Sequence, residues 1–220
     1  MTPLLFAAWE KLQPPDFVRV LKLVSVISFR YTVVSGLNTN ELEPVYHKAA
    51  KALLSGHATS PAEVFQHLKP IYVADDKFIR DFASKKIETT GQRKRLAKFV
   101  LCALEFDASG KPCDYETDPG TIEHILPENP SAEWDASFNH ERQADFIYRI
   151  GNLTLLEANL NRQVGNGLLA EKRATYAGTA YGLTKDIADN APEDWTPTAL
   201  NARQQKLATR AAHLWRSDFA

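Results

Sequence analysis

Apolar residues recur at helical spacing through the first 106 positions, then gather after Gly120 into two short runs of strand type. Phe17, Val18, Val20, Leu21, Leu23, Val24, Val26 and Ile27 leave almost no polar face. A helix that apolar is normally buried, and Asp16 stands where its cap belongs. Ser35, Gly36, Leu37 and Asn38 break it. Thr39 or Asn40 opens a second helix that runs to about Leu54. In Ser60-Pro61-Ala62-Glu63 a capping serine, a proline at the first helical position and a glutamate in the capping-box place start a third, which Pro70 limits. A short helix is expected over 75–86 and a stronger one over 92–106, with Leu96, Phe99, Val100, Ala103 and Leu104 on its inward stripe.

The character then changes. Residues 107–120 hold two glycines, two prolines and several acids, which marks a loop or a boundary. Strand-like pieces at 120–126 and 150–156 flank a segment containing Trp134 and a helix expected over 141–149. A further helix is expected over 168–176, and Trp195-Thr196-Pro197 opens a last one with Ala199, Leu200, Leu207, Ala211, Leu214 and Trp215 apolar. The pattern predicts a mainly α protein with a helical bundle scaffold: a helical domain over 1–110, a strand–strand–helix insert over 111–185, and a carboxy-terminal helix over 186–220 that packs back.

Composition narrows the class. The chain has 220 residues, 44% hydrophobic and 24% charged, as in ordinary globular proteins. No apolar run approaches the roughly 20 residues needed to cross a bilayer, so no membrane partner and a cytoplasmic location are expected. The two cysteines, Cys102 and Cys113, are too few for a disulfide scaffold and form no CxxC pair; Cys102 reads as core. A net charge of −1 argues against a long DNA footprint. Basic residues do cluster, at Lys85 and Lys86, at Arg93, Lys94, Arg95 and Lys98, and at Lys172 and Arg173.

The candidate chemistry lies in TIEHILP (121–127) and IGNLTLLEANLN (150–161). Glu123 and His124 stand side by side, and Asn152 and Asn161 follow. A carboxylate, an imidazole and two amides can hold one hard cation and activate one water, as phosphodiester hydrolysis requires. A neutral imidazole suits a general base near pH 7. Adjacent strand residues face opposite ways, so Glu123 and His124 converge only if the strand ends there, which Pro127 favours. No His/Cys set for zinc is present; one Mg²⁺ or Mn²⁺ ion is expected.

These segments, with the later N-G-L-L-x-E-K-R-x-x-Y and the W-T-P-x-A-L-x-x-R of the last helix, resemble the DUF1524 domain. That domain is the carboxy-terminal HNH, or His-Me finger, nuclease of GmrSD-type, modification-dependent restriction enzymes. The resemblance implies a ββα-metal finger and a metal-dependent DNA endonuclease acting in antiviral defence, on DNA that carries modified phage bases. It makes His124 the general base, Glu123 and Asn161 the metal ligands and Asn152 a brace for His124, with Asn166 as a second candidate for the part of Asn161. Lys172, with Arg173 and Arg162 near it, is placed to meet phosphate. The finger lacks zinc-binding cysteine pairs, so Trp134, Phe138, Phe146 and Tyr148 are expected to brace it. No GxxxxGK[ST] loop is present. The resemblance implies a DUF262-type NTPase domain or separate subunit as the partner, and without that loop this chain is expected to be a nuclease subunit or a carboxy-terminal piece. The alternative is a catalytically silent DNA-binding or NTPase-docking subunit.

Overall fold

The computed structural model describes residues 1–220. The chain packs as two compact units, Met1–Asp81 with Trp215–Ala220, and Phe82–Leu214. The first is all helix: α1 (Thr2–Lys11), α2 (Pro14–Ser28), a π-helical stretch at Phe29–Val34, α3 (Leu42–Leu54), α4 (Pro61–Leu68) and most of α5 (Asp75–Phe82). α2 starts two residues before the expected Asp16 cap because Pro14 and Pro15 take its first positions, where the fixed φ of proline is already helical. Ser60 caps α4 as expected, accepting from the Glu63 N–H. Its core is built from Leu4, Val20, Ile27, Leu53, Phe65 and Leu68, each at most 2% exposed. Arg30 sits fully buried among them. It donates to the carbonyls of Trp215 and Val73 and to Asp75 Oδ1, so its charge is paired and most of its donors are satisfied, as burial demands.

The second unit carries the strands. After α6 (Gly91–Ser109) and an acidic loop come β1 (Thr121–His124), α7 (Ala144–Ile147), β2 (Leu153–Leu156), α8 (Ala158–Val164), α9 (Leu169–Gly178), α10 (Gly182–Asn190) and α11 (Pro197–Leu214). β1 and β2 are antiparallel, with Thr121 opposite Leu156 and His124 opposite Leu153. Both are shorter than the sequence predicts. Ile150–Asn152 is a 3₁₀ turn instead of strand, and the helix expected over 141–149 is broken into a 3₁₀ turn at His140–Arg142 and α7. α6 lies in this unit, against β2, α10 and α11.

Trp134, Phe138, Phe146, Tyr176, Trp195 and Leu200 share one buried cluster, with Tyr148 packed at its edge. Gly151 lies so close to α11 that a Cβ there would stand 2.7 Å from the Leu200 carbonyl oxygen. α11 grips that turn from the side: Arg203 Nη1 donates to the Gly151 and Leu153 carbonyls at 2.7 and 2.9 Å. The sequence did not indicate a pairing of the two cysteines. Cys102, 1% exposed, is core as expected, but it is joined to Cys113 as a disulfide, with Cα atoms 5.0 Å apart, tying the acidic loop to α6.

Candidate active site

β1 ends at His124, and the chain turns away through Pro127. Asn152 makes this turn reproducible. It is fully buried; its Oδ1 accepts from the Leu126 N–H at 2.8 Å, and its Nδ2 donates to the carbonyls of Leu126 and Ile147 at 2.8 and 3.0 Å. Trp195 Nε1 donates to the same Oδ1 at 3.1 Å. Asn152 therefore acts behind the site as a brace for the segment leaving His124. It does not line the cleft as a catalytic group.

The open side of β1 forms a polar cleft of about 310 Å³, lined by His124, Glu123, Asn161, Glu128, Thr89 and Lys94 among others. A larger hollow, of about 640 Å³, lies around Trp195 between α10 and α11. It is mostly apolar and contains no histidine; the smaller cleft is the one that holds His124.

The His124 side chain is 12% exposed. Burial pushes its pKa down to about 4; the charge of Lys172 adds to that, and Glu128 opposes it. The imidazole is thus neutral at pH 7, and its contact with Glu128 Oε1, 3.6 Å from Nε2, is not an ion pair there. Thr89 Oγ1 lies 3.3 Å from Nε2 and donates to Glu128 Oε1 at 2.9 Å. The Tyr148 ring meets the imidazole edge-on at 5.9 Å.

Glu123 is 3% exposed. Its Oε1 accepts from Lys172 Nζ at 2.8 Å and from Tyr176 Oη at 2.7 Å. Burial first, and then the adjacent Glu123 charge, hold the Tyr176 hydroxyl pKa well above 10, so it remains a donor. Lys172 also donates to the carbonyls of His124 and Ile125 at 2.9 and 3.2 Å. Burial lowers its pKa, while Glu123 works against that shift. Asn161, on α8, donates through Nδ2 to Thr121 Oγ1 and the Ile122 carbonyl at 3.0 and 3.1 Å. Those two acceptors assign its amide orientation and leave Oδ1 without a hydrogen bond from the chain.

Two expectations need correction. Lys172 is fully buried and cannot meet a phosphate, because its three donors are spent on Glu123 and two carbonyls. Arg173 is likewise turned inward, donating to the carbonyls of Ala188, Ala191 and Pro192. Arg162 is exposed on α8. Of the basic cluster that the sequence marks over 93–98, Lys94 is exposed and lines the cleft. Its neighbours in the same cluster are engaged: Arg93 with Glu88, Arg95 with Glu116, and Lys98 with the Asp118 carbonyl. Thr89 and Glu128 were not marked by the sequence analysis. Glu128 carried a signal, standing four residues past His124 beyond the proline; Thr89 carried none.

The donors present fit a hard cation. Glu123 Oε2 accepts no hydrogen bond from the chain, and Asn161 Oδ1 shares the cleft with it. No three His, Cys, Asp or Glu side chains converge, so an ion here would keep much of its water shell, as Mg²⁺ does.

No helix is long and apolar enough to cross a membrane. No curated protein matches the chain. The profile of a family described as GmrSD restriction endonucleases, C-terminal domain, matches residues 72–210, well over half the chain and the whole of the site. The chain belongs to that family, the C-terminal domain of the GmrSD restriction endonucleases.

Proposed function

We propose that this chain is a metal-dependent DNA endonuclease of the His-Me finger type and the cutting part of a modification-dependent restriction system. One observation carries the reading: a neutral, partly buried His124 stands at the end of β1 in an open polar cleft that Glu123 and Asn161 also line. The β1–β2–α8 order fits the compact ββα finger of that nuclease class. A DNA substrate follows from the family; the NTPase partner remains part of the proposal.

His124 takes a proton from a water through its unprotonated ring nitrogen. The water oxygen forms a bond to phosphorus as the bond from phosphorus to the leaving sugar oxygen breaks. Glu123 and Asn161 would hold one divalent ion, which when bound supplies charge stabilisation to the phosphate and the leaving oxygen. Lys172 fixes Glu123 in direction, and Asn152 holds the backbone after His124. Lys94 and Arg162 offer charge to the neighbouring phosphates.

The test is plasmid cleavage. Wild-type protein with Mn²⁺, and with its NTPase partner if one is needed, is expected to nick or linearise modified supercoiled DNA. His124→Ala is expected to lose at least 100-fold in rate, the lower range of removing a general base. Equal cleavage by both proteins would remove the reading.

A further inference from the structure

We propose that Thr89 and Glu128 are positioning residues that fix the tautomer of His124, with the ring proton on Nε2 and the lone pair on Nδ1. This rests on the reading of His124 as the base. The reasoning is a count of donors. A carboxylate only accepts, so the 2.9 Å contact between Thr89 Oγ1 and Glu128 Oε1 uses the single hydroxyl proton of Thr89. The same hydroxyl oxygen lies 3.3 Å from His124 Nε2. With its proton spent it can only accept, so Nε2 must carry the hydrogen. With Nε2 donating to the threonine oxygen, a ring that acts as a base must do so through Nδ1. The direct Nε2 to Glu128 Oε1 distance, 3.6 Å, is too long for a hydrogen bond, which makes the threonine hydroxyl the link between ring and carboxylate.

The fold delivers Thr89 to this position. The segment after α5 runs beside the one that precedes β2: the Ile87 N–H donates to the Tyr148 carbonyl at 2.8 Å, and the backbones of Lys86 and Arg149 pair as an isolated antiparallel β-bridge. Thr89 is 9% exposed, so water competes little for its hydroxyl. The Tyr148 ring closes another side of the imidazole. Asn152 and Lys172 hold the backbone at the end of β1, and Thr89 with Glu128 holds the ring. A base oriented by a third group is the general logic of activated sites.

Tautomers are read directly by long-range proton–nitrogen NMR on the ¹⁵N-labelled full chain at neutral pH. The chain has six histidines, and His124→Ala identifies the relevant signals. The expected result is a protonated Nε2 and an unprotonated Nδ1 in the wild type, a mixed or inverted pattern in Thr89→Val, and the wild-type pattern in Thr89→Ser. A wild-type ring protonated on Nδ1 would overturn the proposal without any variant having to fold, and so would an unchanged ring in Thr89→Val. In cleavage, Thr89→Val is expected to lower kcat by roughly 10- to 100-fold, the range for loss of an orienting partner, with KM for DNA held and Thr89→Ser recovering most of the rate. A change in KM alone would also overturn it. If His124→Ala cleaves like the wild type, the nuclease reading fails, while the ring spectrum still decides the tautomer.

Discussion

His124 is set apart from the other histidines by what surrounds one ring. Its pKa of about 4 comes from burial first, with the Lys172 charge in support and Glu128 in opposition. Two pH effects follow. In the proposed role of base it stays unprotonated from neutral pH down towards 4, so the kcat/KM of cleavage is expected to hold through pH 6.5, where an ordinary histidine would be half protonated. The second concerns stability. The folded pKa lies below the unfolded value, so the unfolded chain binds the proton more readily. The contribution of His124 to stability is complete above about pH 6.5 and is lost as pH falls towards 4. Urea midpoints of wild type and His124→Gln, measured between pH 7 and 4, are expected to converge as the pH drops. A kcat/KM profile bending near 6.5 would contradict the buried environment. The acid–histidine pair could be read from the sequence because its members are neighbours. Thr89 lies 35 positions from His124, and no local pattern joins the two.

At the scale of elements, the junction of α9 with β1 decides whether the site keeps its shape. Lys172 and Tyr176 are four apart, hence on one face of α9, and both donate to Glu123 Oε1. In the sequence an amphipathic helix lysine reads as solvated, and only the facing carboxylate turns it inward. Lys172→Met would leave that carboxylate buried without its cation. The expected cost is about 3–5 kcal/mol, as for breaking a buried pair from one side, measured by urea unfolding. The double change Lys172→Met with Glu123→Gln is expected to recover part of the loss, since the uncompensated charge is gone. Recovery of nothing would mean that packing, not charge, sets the cost. Helix identities in the first unit were legible because periodicity and caps are local. The strand ends were not, because the 3₁₀ turn at Ile150–Asn152 exists only through Asn152, Arg203 and the close approach of Gly151 to α11.

Across the whole molecule, a net charge of −1 and the pairing of most basic residues near the site leave few free cations for DNA. Salt dependence is expected to be shallow, with a slope of log affinity against log salt of about −2 to −4, as for two to four phosphates. Lys94→Ala is expected to reduce that slope by about one and to weaken binding evenly across sequences; filter binding of a short duplex at several salt concentrations checks both. A slope unchanged by the substitution would place the DNA elsewhere.

The sequence by itself determined the helical character, the paired strand segments, the placement of Glu123 beside His124 and the family that these motifs resemble. All of those depend on residues within a few positions of one another or on fixed spacings. Only the tertiary structure decided that Lys172 is an interior counter-ion, that Lys94 is the cation at the cleft, which backbone groups Asn152 holds, and that Thr89 and Glu128 share a hydrogen-bond path to His124. Burial and long-range pairing settle the role of a charged or polar side chain, because desolvation makes its partner, and not its type, the deciding energy.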